Sequence, residues 1–150
     1  MAREGSAPPL EDRAEDVVDI LAGFALFADL STPELESVAQ TFEEAWFKHD
    51  EKVIRQGLTG SGFYVILDGN ASIRVDGKDR ATLRPGDFFG EISCLLGEAP
   101  VSDIVAQRPL RCLVLSCEQL ESFLTAHPRV LFRVLQGEAR KVRNTTGWLG

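Results

Sequence analysis

The feature that most constrains this chain is a change of apolar rhythm near Trp46. Before it, Leu35, Val38, Ala39 and Phe42 recur at helical spacing. After it the segments shorten, glycine recurs, and the apolar period drops toward two. Ala71, Ile73 and Val75 alternate with Ser72 and Arg74, the pattern of a strand with one wet face. Val53-Ile54, Phe63 to Leu67, Leu83, Phe88-Phe89, Ser102–Ala106 and Leu110–Leu115 supply further strand segments. Gln56-Gly57, Gly60-Ser61-Gly62, Asp68-Gly69, Asp76-Gly77 and Pro85-Gly86-Asp87 supply the turns between them. Short strands with turns about every 8–12 residues predict an antiparallel barrel or jelly roll.

Helices flank this β region. Ser31-Thr32-Pro33-Glu34 reads as a helix start. Ser31 caps, Glu34 reaches back, Pro33 is tolerated in the first turn, and Leu30 with Leu35 form the apolar staple. Upstream, residues 1–19 read as an acidic, mobile tail, running from about Glu11 into a helix toward Leu21-Ala22. Phe24, Leu26, Phe27 and Leu30 should be buried. Ser116 and Gln119 predict a second capping box, with Leu115 and Leu120 as staple and Leu120, Phe123 and Leu124 as buried stripe. Pro128 breaks the helix. Val130, Leu131, Val134, Leu135 and Val142 then mark a last amphipathic helix. Its other face, Arg129, Arg133, Arg140, Lys141 and Arg143, reads as solvated. The domain is placed at residues 20–143, with 144–150, including Trp148, as a C-terminal tail.

The charge and the cysteines exclude several functions. A chain of 150 residues suits one domain with a core of its own. The net charge is −7 and the pI about 4.8, which argues against a nucleic-acid-binding surface. No apolar run is long enough to cross a bilayer, and the N-terminus lacks a signal peptide's basic start and apolar middle. No membrane partner is expected, and a cytoplasmic location follows. Cys94, Cys112 and Cys117 show no C-x-x-C spacing, so reduced thiols are expected, with Cys94 and Cys112 as packing residues. His49 reads as a turn residue and His127 stands beside Pro128; neither pairs at metal-ligand spacing. No catalytic constellation is visible, so the chain is read as no enzyme, with no metal and no cofactor.

Phe88-Phe89-Gly90-Glu91-Ile92-Ser93-Cys94 carries the most chemistry. Two apolar residues end a strand, and Gly90 permits close backbone approach. A short helical turn follows, whose free N–H groups suit an anion. Glu91 can accept hydrogen bonds from a hydroxyl there. The residues alone leave a second reading open, in which Gly90 makes a turn and Glu91 caps a helix.

Four ordered pieces carry a resemblance: Leu26-Phe27-Ala28-Asp29-Leu30-Ser31, Ile54-Arg55-Gln56-Gly57, Phe63-Tyr64-Val65-Ile66-Leu67-Asp68-Gly69, and Leu83-Arg84-Pro85-Gly86-Asp87-Phe88-Phe89-Gly90-Glu91. Over about Leu21 to Arg143 the chain resembles the cyclic nucleotide-binding domains of protein kinase A regulatory subunits and CRP-type regulators. The resemblance implies an eight-stranded antiparallel β-roll with N- and C-terminal α-helices. It implies cAMP or cGMP as ligand, with Glu91 accepting from the ribose 2′-hydroxyl. The cassette that would hold the ligand comprises Phe89, Gly90, Glu91, Ile92, Ser93, Pro100, Val101, Ser102 and Asp103. The family closes this cassette as Pro-Arg-Ser/Ala-Ala; here Pro100-Val101-Ser102-Asp103 stands. Val101 replaces the Arg that neutralises the phosphate, and Asp103 is expected to add a like charge beside it. Losing the charge-assisted bond weakens binding by roughly 10–100-fold.

The expected function is a regulatory sensor module in which cAMP or cGMP binding is weak or lost. Two alternatives stay open. One is a degenerate domain kept for protein interaction. The other is a true cAMP sensor in which Arg84, Arg108 or Arg111 supplies the missing charge. The output would pass to a protein partner or through self-association of the C-terminal helices. A helix-turn-helix after Arg143 is not expected, since only seven residues follow.

Overall fold

The computed structural model describes residues 10–58 and 62–149. The Gly60-Ser61 turn and the side chain of Trp148 lie outside the described residues. Two helices lead: α1 (Leu10–Ala22) and, after a 3₁₀ turn at Ala25–Phe27, α2 (Thr32–Thr41). Eight strands follow: β1 (Glu43–Phe47), β2 (Lys52–Ile54), β3 (Gly62–Asp68), β4 (Ala71–Val75), β5 (Lys78–Leu83), β6 (Phe88–Phe89), β7 (Asp103–Ala106) and β8 (Leu110–Ser116). A short helix, α3 (Glu91–Leu96), sits between β6 and β7; α4 (Cys117–Ala126) and α5 (Pro128–Leu149) close the chain. The strands form two antiparallel sheets, ordered β1-β8-β3-β6 and β2-β7-β4-β5. This is the β-roll with flanking helices that the sequence implied.

The apolar run of β3 shows why its sequence does not alternate. Phe63, Val65 and Leu67 face one core, built with Leu21, Phe27, Val38, Phe42, Leu120, Phe123 and Val130 of the helices. Ile66 faces a second core inside the roll, with Ile54, Leu83, Phe89, Ile104, Leu110 and Cys112. A strand covered on both faces must be apolar throughout. By contrast β5 is an edge strand whose Lys78, Asp79 and Arg80 are exposed, which discourages pairing with another chain.

Local signals set the boundaries. Ser31 Oγ accepts from the Glu34 N–H at 3.4 Å, and the Ser31 N–H donates to Glu34 Oε1 at 2.8 Å, the reciprocal box expected. Asp76 and Gly77 both have positive φ (51° and 80°), the geometry a two-residue hairpin turn between β4 and β5 requires. Asp50 likewise takes a left-handed φ of 70° in the β1–β2 turn, which Asp tolerates.

Other expectations are revised. The strand pattern begins at Glu43, three residues before Trp46. Helix α1 begins at Leu10, one residue before the expected helix start, and its Val17 is buried. Helix α5 continues to Leu149, through residues read as tail. Ser72 is buried, not wet, and donates to Asp79 Oδ1 at 2.7 Å. Ser116 does not cap the backbone of α4; its hydroxyl donates to Gln119 Oε1 at 3.0 Å instead.

Candidate functional site

Phe88 and Phe89 split between the two cores and so aim the chain that follows. Phe88 packs toward the helices, with its ring 5.7 Å from Phe63; Phe89 stacks inside the roll on Tyr64 at 4.8 Å. The chain must then turn sharply. Gly90 does so at φ 88°, where a side chain would overlap the Gly62 carbonyl oxygen. Helix α3 starts at the next residue and ends on Gly97 at φ 66°.

The segment after α3 is tied down at several points. Ser93 Oγ donates to the Glu98 carbonyl at 2.7 Å. The Gly57 N–H donates to the Pro100 carbonyl at 2.8 Å. Asp103 Oδ1 accepts from the Gln56 N–H at 2.7 Å, and its Oδ2 lies 3.2 Å from Lys52 Nζ. The Gln56 N–H is the main reason its carboxyl titrates below the ordinary aspartate value, with Lys52 adding to it.

These elements enclose a cavity of about 190 Å³. Phe89, Gly90, Glu91, Ile92, Ser93, Pro100, Val101 and Ser102 all line it. Asp103 is not among the lining residues; its carboxylate serves the β2–β7 junction. Its charge is shared with the Gln56 N–H and Lys52 rather than standing alone. Sequence reasoning missed the apolar walls Ile54, Ile73 and Ile104, and also Glu98, Ala99 and Lys141.

Lys141 is the consequential omission. The sequence alone places it on a solvated basic face. In fact Gly137, one turn earlier in α5, lies so close to Phe88 that a Cβ there would sit 2.8 Å from the ring edge. That approach brings Lys141 Nζ to 2.7 Å from Glu91 Oε2 and 5.0 Å from the Phe88 ring centroid. Glu91 is 2% exposed. Such a carboxylate requires a partner, and Lys141 provides it. Burial pulls the Lys141 ammonium toward the neutral form, but Glu91 and Glu138 outweigh it and hold its pKa above the ordinary lysine value. Only a heptad-like reading of α5 against the cassette would have singled this residue out, and its sequence separation of 50 hides it.

Glu138 completes the cluster, 3.4 Å from Lys141 Nζ. Burial, then the hydrogen bond and charge of Glu91, push its carboxyl up to about 8. The folded chain thus binds a proton that the unfolded chain releases near pH 4–5. The resulting stabilisation is complete below that range and is lost as pH rises through about 8. Glu138→Gln, which copies the protonated form, should leave Tm unchanged near pH 5 and raise it relative to the parent at pH 9. Melting curves across pH check this; equal losses at both pH values would contradict it.

The arginines considered as substitutes lie elsewhere. Arg111 is 7% exposed, bonded to Glu44 at 2.8 Å and Asp16 at 2.6 Å, with its guanidinium over Trp46. It is a buried tie between α1, β1 and β8. Arg84 and Arg108 are exposed and do not line the cavity. Val101, where the resemblance places the phosphate-binding Arg, is 71% exposed at the cavity rim. The charged lining groups are thus Glu91, Glu98 and Lys141, a net negative wall.

The cysteine reading is also corrected. Cys94 of α3 and Cys117 of α4 form a disulfide, while Cys112 is a free thiol with no exposed surface. His49 sits in the β1–β2 turn beside Asp50, and the His127 ring packs on Phe123 at 4.9 Å.

Comparison with known proteins agrees with this geometry. Residues 44–127 match the model of the cyclic nucleotide-binding domain. The cGMP-dependent protein kinase egl-4 of Caenorhabditis briggsae is 28% identical over 104 residues, spanning 65% of this chain and 14% of that kinase. A structure of Sp-2Cl-cAMPS bound to PKAR CBD2 superposes with a TM-score of 0.75 and 26% identity, covering 93% of this chain and 95% of that one. The regulatory subunit of a cAMP-independent protein kinase A from Trypanosoma cruzi, bound to guanosine, gives 0.63 and 26%, covering 77% and 41%. With the roll, the cassette and the matched residues together, this chain belongs to the cyclic nucleotide-binding domain family.

Proposed function

We propose that the chain is a regulatory, ligand-sensing module of this family whose cavity takes an uncharged ribonucleoside in preference to a cyclic nucleotide. The observation that carries this is Val101, an apolar side chain at the rim where an arginine would meet the phosphate. Glu91 keeps the acceptor a ribose hydroxyl needs, and Ile54, Ile73, Phe89 and Ile104 offer apolar surface to the rest of the ligand. Glu98 repels an added anion, and the Glu91–Lys141 pair leaves no spare positive charge to attract one. The guanosine-bound relative supports the reading, since a likeness of this fold accommodates a nucleoside without phosphate. Lys141 is the only cation on the lining among the described residues, and Glu91 already pairs with it, with Glu138 3.4 Å away. That weighs against the substitute-charge alternative.

Ligand entry at Glu91 must displace Lys141 and therefore bear on α5. The signal would leave through α5 to a protein partner or a second copy of the chain. The interaction-module alternative draws on the exposed Leu58, Leu95, Leu96 and Val101 around the cassette. Melting the chain with adenosine, guanosine and their 3′,5′-cyclic phosphates separates these readings. A larger Tm rise with a nucleoside than with its cyclic phosphate supports the proposal. No rise with any of the four supports the interaction module.

A further inference from the structure

Two of the three cysteines join elements on opposite sides of the cavity machinery. Cys94 lies in α3, the same short helix that contributes Glu91, Ile92 and Ser93 to the lining. Cys117 is the first residue of α4, which continues through His127 into α5 and so to Lys141. The two α-carbons are 4.8 Å apart across a sequence separation of 23. Both cysteines are partly exposed, whereas Cys112 is fully buried.

We propose that Cys94–Cys117 is a reversible thiol–disulfide site, and that its oxidation fixes the ligand cassette to the C-terminal helices. The chemistry is an exchange with a low-molecular-weight disulfide such as oxidised glutathione. A thiolate of one cysteine attacks a glutathione sulfur, forms a mixed disulfide and expels one reduced glutathione. The second cysteine then attacks the protein sulfur of that mixed disulfide and expels the other. Two protein thiols become one disulfide, and one glutathione disulfide becomes two thiols. Reduced glutathione drives the reverse.

Three features favour reversibility. Partial exposure lets a small thiol reach the bond. Cys117 stands at the N-terminus of a ten-residue helix, where free N–H groups and the dipole stabilise a thiolate and make it the better leaving group. Cys112 cannot compete: burial alone pushes its thiol up to about 12. The mechanical consequence follows from where the bond lies. Helix α3 has six residues and is bounded by Gly90 and Gly97, both at left-handed φ. Oxidised, α3 cannot open away from α4. Reduced, it opens at the cost of ordinary packing only.

The test uses the whole chain equilibrated with glutathione couples of varied ratio, without added nucleotide, so its outcome does not depend on the nucleoside reading. Free thiols are counted by alkylation and mass. Amide exchange is followed in peptides covering residues 91–96. The expected result is a two-electron transition confined to Cys94 and Cys117, with exchange in α3 on the order of ten-fold or more faster in the reduced chain. Cys117→Ser should match the reduced chain in exchange; if that variant does not fold, the comparison of oxidised and reduced parent stands by itself. The proposal is overturned if both thiols stay alkylatable in excess glutathione disulfide. It is equally overturned if the bond resists excess reduced glutathione in the folded chain, or if α3 exchanges alike in both states.

Discussion

Gly90→Ala is expected to lower Tm by roughly 10 °C and to deplete the folded chain at physiological temperature. Two costs combine there. A left-handed φ of 88° strains any L side chain, by about 1–2 kcal/mol. The new methyl also overlaps the Gly62 carbonyl oxygen and lies 3.4 Å from Ile54 Cδ1, so β3 or β2 must move, at about 1–3 kcal/mol more. Gly97→Ala is the matched control. It has the same handedness (φ 66°), but a Cβ there meets nothing within 4 Å. Only the strain remains, and the Tm loss should be about half as large. Thermal melts of the two variants decide the matter, and equal losses would show that the close approach at Gly90 is not what positions the cassette.

Val101→Arg should raise affinity for cAMP by roughly 10–100-fold over the parent chain. The residue is exposed at the rim, so a long side chain enters without displacing the core. The guanidinium gives the cavity the mobile positive charge that Lys141, held by Glu91 and Glu138, does not supply. The single substitution is the right test. Asp103→Ala would add nothing at the cavity. It would remove the acceptor for Gln56 N–H and the partner of Lys52, loosening the junction of β2 with β7. Calorimetry of Val101→Arg and parent with cAMP reads the effect. No gain in the variant would mean that something other than position 101 limits phosphate binding.

The parts of this molecule that depend on near neighbours in sequence were legible from the residues. The Ser31–Glu34 box and the Asp76-Gly77 turn are each decided within a few residues, by capping or positive φ. The cassette was legible as a motif, and eight of its nine proposed residues line one cavity. What escaped depends on distant partners. Lys141 looks like any exposed basic residue until Gly137 is seen against Phe88. Arg111 looks like a candidate for the missing phosphate charge until Asp16 and Glu44 converge on it. Asp103 looks like a phosphate-repelling charge until Gln56 and Lys52 claim it. Cys94 and Cys117 look unpaired because the residues between them form β7 and β8, which fold back to bring them together.

In the proposed function the Glu91–Lys141–Glu138 cluster and Val101 work as one device. The first offers a buried acceptor guarded by α5, and the second withholds the charge a phosphate needs. Calorimetric titration of the parent chain with guanosine and, separately, with cGMP tests this directly, because the two ligands share base and ribose and differ in the phosphate. The account predicts heat from guanosine with affinity at least about ten-fold tighter than cGMP. Micromolar cGMP binding with no heat from guanosine would contradict it.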